Sequence, residues 1–124
     1  MATLNMGISY DLTYDEIDRL VADHRKGNYA FGYLNERGVF IVRYVGRSDS
    51  NLKDRIKHGI ADMKKDKTLR YERFKFSYAD TAIEAYEKEC RNYHDFGGPN
   101  KWLVNEDHPD KPDGYKGKCP VCGV

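Results

Sequence analysis

Residues 27–48 read GNYAFGYLNERGVFIVRYVGRS, and this stretch is the part of the sequence that says most about the fold of the chain. Aromatic and β-branched residues dominate 29–34 and 39–44, and a short polar turn containing Gly38 joins the two runs. Two runs of this kind with such a turn between them predict a β-hairpin. Residues 39–42 are apolar at both parities, which predicts a strand inside the sheet with both faces covered.

Helices are predicted on either side of this hairpin. A hydroxyl followed three residues later by Glu, the spacing of a capping box, occurs at 13–16 and at 81–84. The first box predicts a helix over 13–25, and the second predicts a helix that runs to about Asp95. Another helix is predicted after Ser50-Asn51, where apolar residues recur at the helical period: Leu52, Ile56, Ile60 and Met63.

The sequence predicts a small mixed α/β fold of the α+β kind. Residues 73–78 alternate between aromatic and polar side chains, which predicts a third strand with one solvent-facing side. We therefore expect a three-stranded antiparallel central sheet flanked by helices. A chain of 124 residues is long enough for one core. We expect a single domain over 1–124, with its core at about 27–100 and a tail without periodicity at about 101–124.

Composition and charge limit the kinds of function that the chain can have. The chain is 40% hydrophobic and 33% charged, and no run approaches the roughly 18 apolar residues of a membrane helix. The N-terminus lacks the pattern of a secretory signal, so we expect a cytoplasmic protein with reduced cysteines and no membrane partner. Residues 45–76 hold ten Lys or Arg and five Asp or Glu. This excess is compatible with a phosphate-bearing partner or with an ordinary solvated helix face.

Two tripeptides on the predicted strands indicate a chemistry. They are Gly27-Asn28-Tyr29 and Tyr44-Val45-Gly46, and a predicted helix carrying Arg55 follows them. In this order the parts resemble the GIY-YIG nuclease family over roughly residues 27–100. The resemblance implies that the tyrosines of the two motifs meet around a phosphodiester. One of them, Tyr29 or Tyr44, would hydrogen-bond or deprotonate the attacking water.

The resemblance also implies which groups hold the phosphodiester. Arg55, eleven residues after Tyr44, is expected to clamp the phosphate bidentately. His58 would be catalytic, although it follows Arg55 by three residues where relatives commonly have four. Arg47 would lower the pKa of a catalytic tyrosine, since a pKa of about 10 is too high for a base at neutral pH. The expected substrate-binding residues are Arg47, Lys53 and Asn100.

One carboxylate is expected to hold a catalytic divalent cation. The family's glutamate lies on a later helix in the pattern Glu-Ala-x-x-x-Glu, which residues 84–89 match. Glu89 is therefore the expected ligand, and Glu87 is the alternative. A single carboxylate, with water in the remaining positions, suits Mg²⁺ or Mn²⁺.

The cysteines indicate a second metal. Cys90 and His94 lie four residues apart on a predicted helix, so they share a face. Cys119 and Cys122 have the spacing of a zinc knuckle. We expect these four residues to bind a structural Zn²⁺ that ties down the tail, with His108 as the competing fourth ligand. In the alternative without zinc, Cys90 is a small buried side chain and the terminal cysteines are free; a redox role lacks the strand-to-helix context it needs.

The expected function is divalent-metal-dependent cleavage of DNA at phosphodiester bonds. The sequence from Glu87 onward also resembles a branch of the same family with Cys-x-x-x-His, His-Pro and terminal Cys-Pro-x-Cys elements, which supports the zinc site. The alternative is a catalytically inactive module of the same fold that binds nucleic acid or protein and keeps the zinc. So short a chain has little surface for a specific DNA site, so we expect additional protein subunits to supply recognition.

Overall fold

The computed structural model describes residues 4–96, 103–105 and 108–124 and has a mixed α/β fold. In chain order the elements are β1 (Tyr10–Asp11), α1 (Tyr14–Leu20), β2 (Lys26–Leu34), β3 (Phe40–Ser48), α2 (Leu52–Lys65), a 3₁₀ turn (Lys67–Leu69), β4 (Arg73–Ala79) and α3 (Ala82–Asp95). The strands form an antiparallel sheet in the order β1-β4-β2-β3, so β2 pairs with both β3 and β4. None of the described helices has the length and apolarity that a membrane span requires.

The predicted hairpin is confirmed as the pair β2–β3. Its turn is fixed by Asn35, whose Oδ1 accepts the backbone N–H groups of Arg37 and Val39 at 2.9 and 3.0 Å. Gly38 has a φ of 76°, in the left-handed region that favours glycine. β3 runs on to Ser48, beyond the predicted end, and this extension carries the Tyr-Val-Gly motif and the following arginine within a strand.

The sheet has four strands rather than the predicted three. β1 has only two residues, which is too short for an alternation pattern to reveal. Arg73 Nη1 donates to Asp11 Oδ1 at 2.6 Å and ties this strand to β4. The first helix is also shorter than the predicted 13–25. It ends at Leu20 because Val21 is already extended, with φ −101° and ψ 125°.

Helices cover both faces of the sheet. On one face, α1 and α2 enclose a core that includes Ile17, Phe31, Leu52, Ile56 and Phe74. On the other face, α3 packs over a core that includes Ala30, Val45 and Tyr93. Ala30 and Phe31 are neighbours in β2, so successive side chains of the central strand enter different cores.

β3 lies at the edge of the described sheet, not inside it as predicted. β3 also contains a bulge: Phe31 pairs with Tyr44, but Gly32 pairs with Val42, so Arg43 is the extra residue. Tyr44 therefore shares the face of Phe31, whereas Val42 enters the core under α3. Both α2 and α3 contact β3. Val39, at the start of the run predicted to be covered on both faces, is however 53% exposed, so that prediction holds only in part.

Candidate active site and metal centre

A pocket of about 420 Å³ lies where β3 ends and α2 begins. Five of the residues predicted for catalysis or substrate binding line it: Tyr29, Tyr44, Arg47, Arg55 and Glu89. They come from β2, β3, α2 and α3, so only the folded chain brings them together.

The glycine of the Tyr-Val-Gly motif gives Tyr29 its place in this pocket. The Tyr29 ring crosses β3 at Gly46, where an added Cβ would lie 2.4 Å from the tyrosine hydroxyl oxygen. Tyr29 is only 3% exposed, and its ring centroid lies 6.2 Å from that of Tyr44, with the planes 19° apart. Any larger residue at position 46 would displace the ring, so this glycine sets the two phenols side by side.

Both tyrosines keep their hydroxyl protons at neutral pH. Burial raises the pKa of Tyr29 well above its usual value of 10. Burial also raises the pKa of Tyr44, with Glu89 acting in the same direction and Arg55 against it. Arg47 does not lower either pKa as the sequence predicts, because two carboxylates engage its guanidinium. The phenols are therefore hydrogen-bond donors rather than bases.

Glu89 is buried and paired with Arg47. Nη1 of Arg47 donates to Oε1 of Glu89 at 2.6 Å, and Nε donates to Oδ1 of Asp49 at 2.8 Å. The pKa of Glu89 is raised to about 7, because the effect of burial is larger than the opposite effect of Arg47. Among the described residues, Oε2 of Glu89 has no hydrogen-bond partner, so this oxygen can accept a cation.

Arg55 presents a free guanidinium to the pocket. It lies on the exposed side of α2, where Asp54 and Asp62 are nearby acidic residues. Among the ion pairs of the described residues, none involves Arg55. Its charge is thus available for bidentate binding of a phosphate.

Two of the predicted residues lie away from this pocket. His58 lines an adjoining recess of about 250 Å³. Lys53 turns towards α1, where its Nζ lies 3.9 Å from Asp18 Oδ1 and 3.8 Å from Asp23 Oδ2. Asn100, predicted to bind substrate, lies outside the described residues.

The C-terminal tail contributes residues to the pocket that were not predicted there; of these, the sequence named only His108, as a candidate zinc ligand. Asn105, His108 and Asp110 line the same pocket. Oδ1 of Asn105 accepts the N–H of Val45 at 3.0 Å, and its Nδ2 donates to the Val45 carbonyl at 2.8 Å. This amide therefore holds the free edge of β3. No motif or periodicity in the tail signals Asn105, because its role comes from a contact across the fold.

The tail also completes a metal centre. The ligand atoms of four residues lie within 4.8 Å of one another: His94, His108, Cys119 and Cys122. Ligand atoms around a tetrahedral zinc ion lie about 3.3–3.8 Å apart, and Cys122 Sγ is 3.4 Å from His108 Nε2. Nε2 of His94 is buried without a hydrogen-bond partner among the described residues, as expected of a nitrogen that binds a metal. This cluster can hold a metal ion such as zinc.

The surroundings of His108 and Cys119 favour the forms that bind metal. Nδ1 of His108 lies 3.0 Å from the carbonyl oxygen of Pro109, so Nδ1 carries the proton and Nε2 presents its lone pair. Burial opposes ionisation of Cys119, but hydrogen bonds from the backbone of Cys122 and Val121 outweigh it and lower the pKa to about 5. The resulting thiolate is the form of cysteine that binds a metal.

Known proteins give no further guide to these two sites. Comparison with protein families, with curated proteins and with solved structures finds no match for this chain. Function is therefore inferred from the chemistry of the pocket and of the cluster. The pocket offers two phenol donors, a free guanidinium and a buried carboxylate, a set suited to a phosphodiester and a divalent cation.

Cys90 is not a member of the metal cluster, contrary to prediction, and both histidines belong to it instead. Cys90 lies one helical turn before His94 and is fully buried beside Tyr86. Burial raises the pKa of Cys90 to about 12, so it stays a thiol. Cys90 does contact the tail, since it packs against Cys119. Helical spacing indicates the face of α3 that meets the tail, but it does not indicate that the Cys90 thiol lies outside the group of ligand atoms.

Proposed function

We propose that this chain belongs to the GIY-YIG nuclease family and hydrolyses DNA phosphodiester bonds with the help of a divalent cation. One observation carries the proposal. Tyr29, Tyr44, Arg55 and Glu89, each predicted from a different part of the sequence, line one pocket. Four unrelated packing residues would have no reason to converge in this way.

The environment of each group supports a particular role. Arg55, free of ion pairs among the described residues, would bind the nonbridging oxygens of the phosphate. The protonated hydroxyl of Tyr44 would donate a hydrogen bond to the phosphate and so fix its orientation, while Tyr29 would support Tyr44 through the hydrogen bond between the two phenols. Arg47 would hold the Glu89 carboxylate in position through their 2.6 Å ion pair.

The Glu89 carboxylate fits a cation that prefers oxygen ligands. Arg47 engages Oε1, which leaves Oε2 for the ion. A bound Mg²⁺ or Mn²⁺ would supply positive charge that stabilises the leaving oxygen. Because burial raises the pKa of Glu89 to about 7, protons and cations would compete for this carboxylate near neutral pH.

We also propose that the cluster of His94, His108, Cys119 and Cys122 holds a structural Zn²⁺. Four protein ligands leave no open position, as is usual for structural zinc. The ion would join α3, which carries His94, to the C-terminal tail. It would be distinct from the catalytic cation, because Glu89 does not belong to the cluster.

The alternative function is a binding module that keeps the pocket but does not cleave. The ion pair between Arg47 and Glu89 favours it, since both side chains are largely buried, at 10% and 11% exposure. A carboxylate already neutralised by arginine attracts a cation less strongly. DNA is the proposed partner in both cases, and its binding should weaken steeply with salt as counterions are released.

Tyr44→Phe distinguishes the two functions. The change removes one hydroxyl and keeps the ring that stacks beside Tyr29. We expect plasmid nicking in Mg²⁺ to fall by about 10²-fold, as for the loss of one preorganised donor. Binding of a labelled oligonucleotide in Ca²⁺, measured by fluorescence anisotropy, should change little.

Tyr33→Phe is the matched control, because Tyr33 lies in β2, the strand paired with the one that carries Tyr44, but does not line the pocket. It should leave both cleavage and binding unchanged. Arg55→Ala, purified in parallel, detects a contaminating nuclease. If Tyr44→Phe nicks DNA as fast as the wild type, Tyr44 is a packing residue and the proposed roles fail.

A further inference from the structure

The tail that carries the metal cluster also forms a wall of the candidate pocket. His108 belongs to the cluster and lines the pocket, and the next two residues, Pro109 and Asp110, line it as well. Pro109 is buried, whereas Asp110 is exposed. The two sites therefore share a short stretch of chain.

Just before this wall, Val104 and Asn105 of the tail form hydrogen bonds with the free edge of β3. The N–H of Val104 donates to the carbonyl of Arg43 at 2.6 Å. The side chain of Asn105 bonds both backbone groups of Val45, at 3.0 and 2.8 Å. These bonds lie on either side of Tyr44. The position of the tail and the position of this tyrosine are thus linked by hydrogen bonds.

Beyond the wall, the cluster brings ligand atoms of the tail close to His94 of α3. Sγ of Cys122, an exposed residue, lies 3.4 Å from Nε2 of His108. Nε2 of His94, on α3, is buried without a hydrogen-bond partner among the described residues. Buried polar atoms are nearly always satisfied, and an ion bound here would satisfy this nitrogen while joining the tail to the helix.

We propose that a metal ion bound to this cluster fixes the position of the pocket wall formed by His108, Pro109 and Asp110. The bound metal would thereby control the affinity of the pocket for a nucleic-acid strand. The nature of that ligand rests on the proposed function, but the link between cluster and pocket does not. Such a link is reciprocal. A strand bound in the pocket should therefore raise the affinity of the cluster for zinc by the same factor.

Amide hydrogen exchange, followed by NMR on the full chain, measures the link directly. Removing zinc with a chelator should speed exchange at Val45 and Val104 by about tenfold or more, as expected for local opening of the tail. The N–H of Glu72, which donates to the Gly32 carbonyl at 2.8 Å, is the internal control. Its exchange should not change.

Fluorescence anisotropy with a labelled single-stranded oligonucleotide in Ca²⁺ measures how the metal cluster affects the affinity of the pocket for a strand. Zinc removal should weaken binding by about 5- to 10-fold, a usual size for coupling between sites. Cys122→Ser should have the same effect, although Cys122 does not line the pocket. Asn105→Ala removes the two side-chain hydrogen bonds to Val45 without removing a ligand, so it should weaken zinc binding. If that variant fails to fold, Cys122→Ser and the chelated wild type still give the result.

Two outcomes decide the proposal. Unchanged exchange at Val45 and Val104 after complete zinc removal, with unchanged oligonucleotide affinity, would overturn it. Faster exchange at both amides with an oligonucleotide that binds neither form would support the link between cluster and pocket. That second result would contradict the proposed nucleic-acid function instead.

Discussion

Replacing Glu89 with Gln should reduce magnesium-dependent DNA cleavage by about 10²- to 10³-fold, the usual loss for one electrostatic contact of this kind. The amide keeps the size of the side chain and can still accept the hydrogen bond that Arg47 donates at 2.6 Å. It cannot supply the negatively charged oxygen that a hard cation prefers. The turnover rate on plasmid or branched DNA should therefore fall much more than the affinity for DNA.

Glu87→Gln is the matched control. Glu87 lies two residues earlier on α3, and it does not line the pocket. It was also the alternative ligand in the sequence prediction, so the pair of variants decides between the two carboxylates. Wild-type cleavage by Glu89→Gln, or an equal loss in both variants, would remove Glu89 from the proposed mechanism.

The pH dependence gives a second check on Glu89. Burial raises its pKa to about 7, and the cation needs the deprotonated form. In limiting Mg²⁺, cleavage should therefore rise as the pH increases through 7. The midpoint should move to lower pH as Mg²⁺ is raised, because the cation displaces the proton. A midpoint that does not change with the Mg²⁺ concentration would show that a group other than Glu89 controls the pH dependence.

Loss of the proposed structural zinc should lower the melting temperature by about 10 °C or more, as expected when a tightly bound ligand of the native state is removed. The ligands gather only in the folded chain, so zinc binding contributes to folding stability. Cys119→Ser removes a ligand whose pKa is lowered to about 5 and should reproduce the effect of a chelator. Thermal unfolding followed by circular dichroism measures both.

Elemental analysis of two further variants tests the ligand set. His108→Ala should lose the zinc, because Nε2 of His108 belongs to the cluster. Cys90→Ala should keep about one zinc per chain and lose stability through the cavity left beside Tyr86 and Cys119 and through the lost contact with Cys119. The reverse result would restore the ligand set expected from the sequence. Zinc-free wild-type protein of full stability would refute the site altogether.

Local signals in the sequence predicted the central hairpin and the helix starts. Thr13 and Thr81 each accept the backbone N–H of the Glu three residues on, so the two capping-box hydroxyls cap α1 and α3 as predicted. The helix after Asn51 also forms, although Asn51 makes no capping bond of its own. These features depend on a few neighbouring residues, and sequence patterns report such short-range effects well.

What the sequence did not predict depends on contacts between distant segments. The apolar run at 39–42 predicts an internal strand, but β3 lies at the edge of the described sheet, where the N–H of Val104 in the tail donates to the Arg43 carbonyl. Asn105 and Val45 are far apart in the chain, and no periodicity connects them. The choice of His108 over Cys90 is of the same kind. Helical spacing predicted the correct face of α3, and Cys90 on that face does pack against Cys119, but its thiol lies outside the cluster.

The pocket residues were predicted more completely than their interactions. The sequence placed Arg47 beside the tyrosines as a cation that lowers their pKa, but the guanidinium pairs with Glu89 and Asp49. Burial then dominates the tyrosines and raises their pKa. Spacing along the chain indicates which residues meet at one end of a strand. It does not indicate which charged groups pair, because that depends on the side-chain packing.

Diffraction from a crystal soaked with Mn²⁺ and a short single-stranded oligonucleotide tests the central claim most directly. We predict an anomalous manganese peak within about 2.5 Å of a Glu89 carboxylate oxygen, with a phosphate oxygen in hydrogen-bond reach of Arg55. This peak should be separate from any ion held by His94, His108, Cys119 and Cys122. Manganese bound only elsewhere, or a phosphate seated away from Arg55, would contradict the claim that this pocket cleaves phosphodiesters.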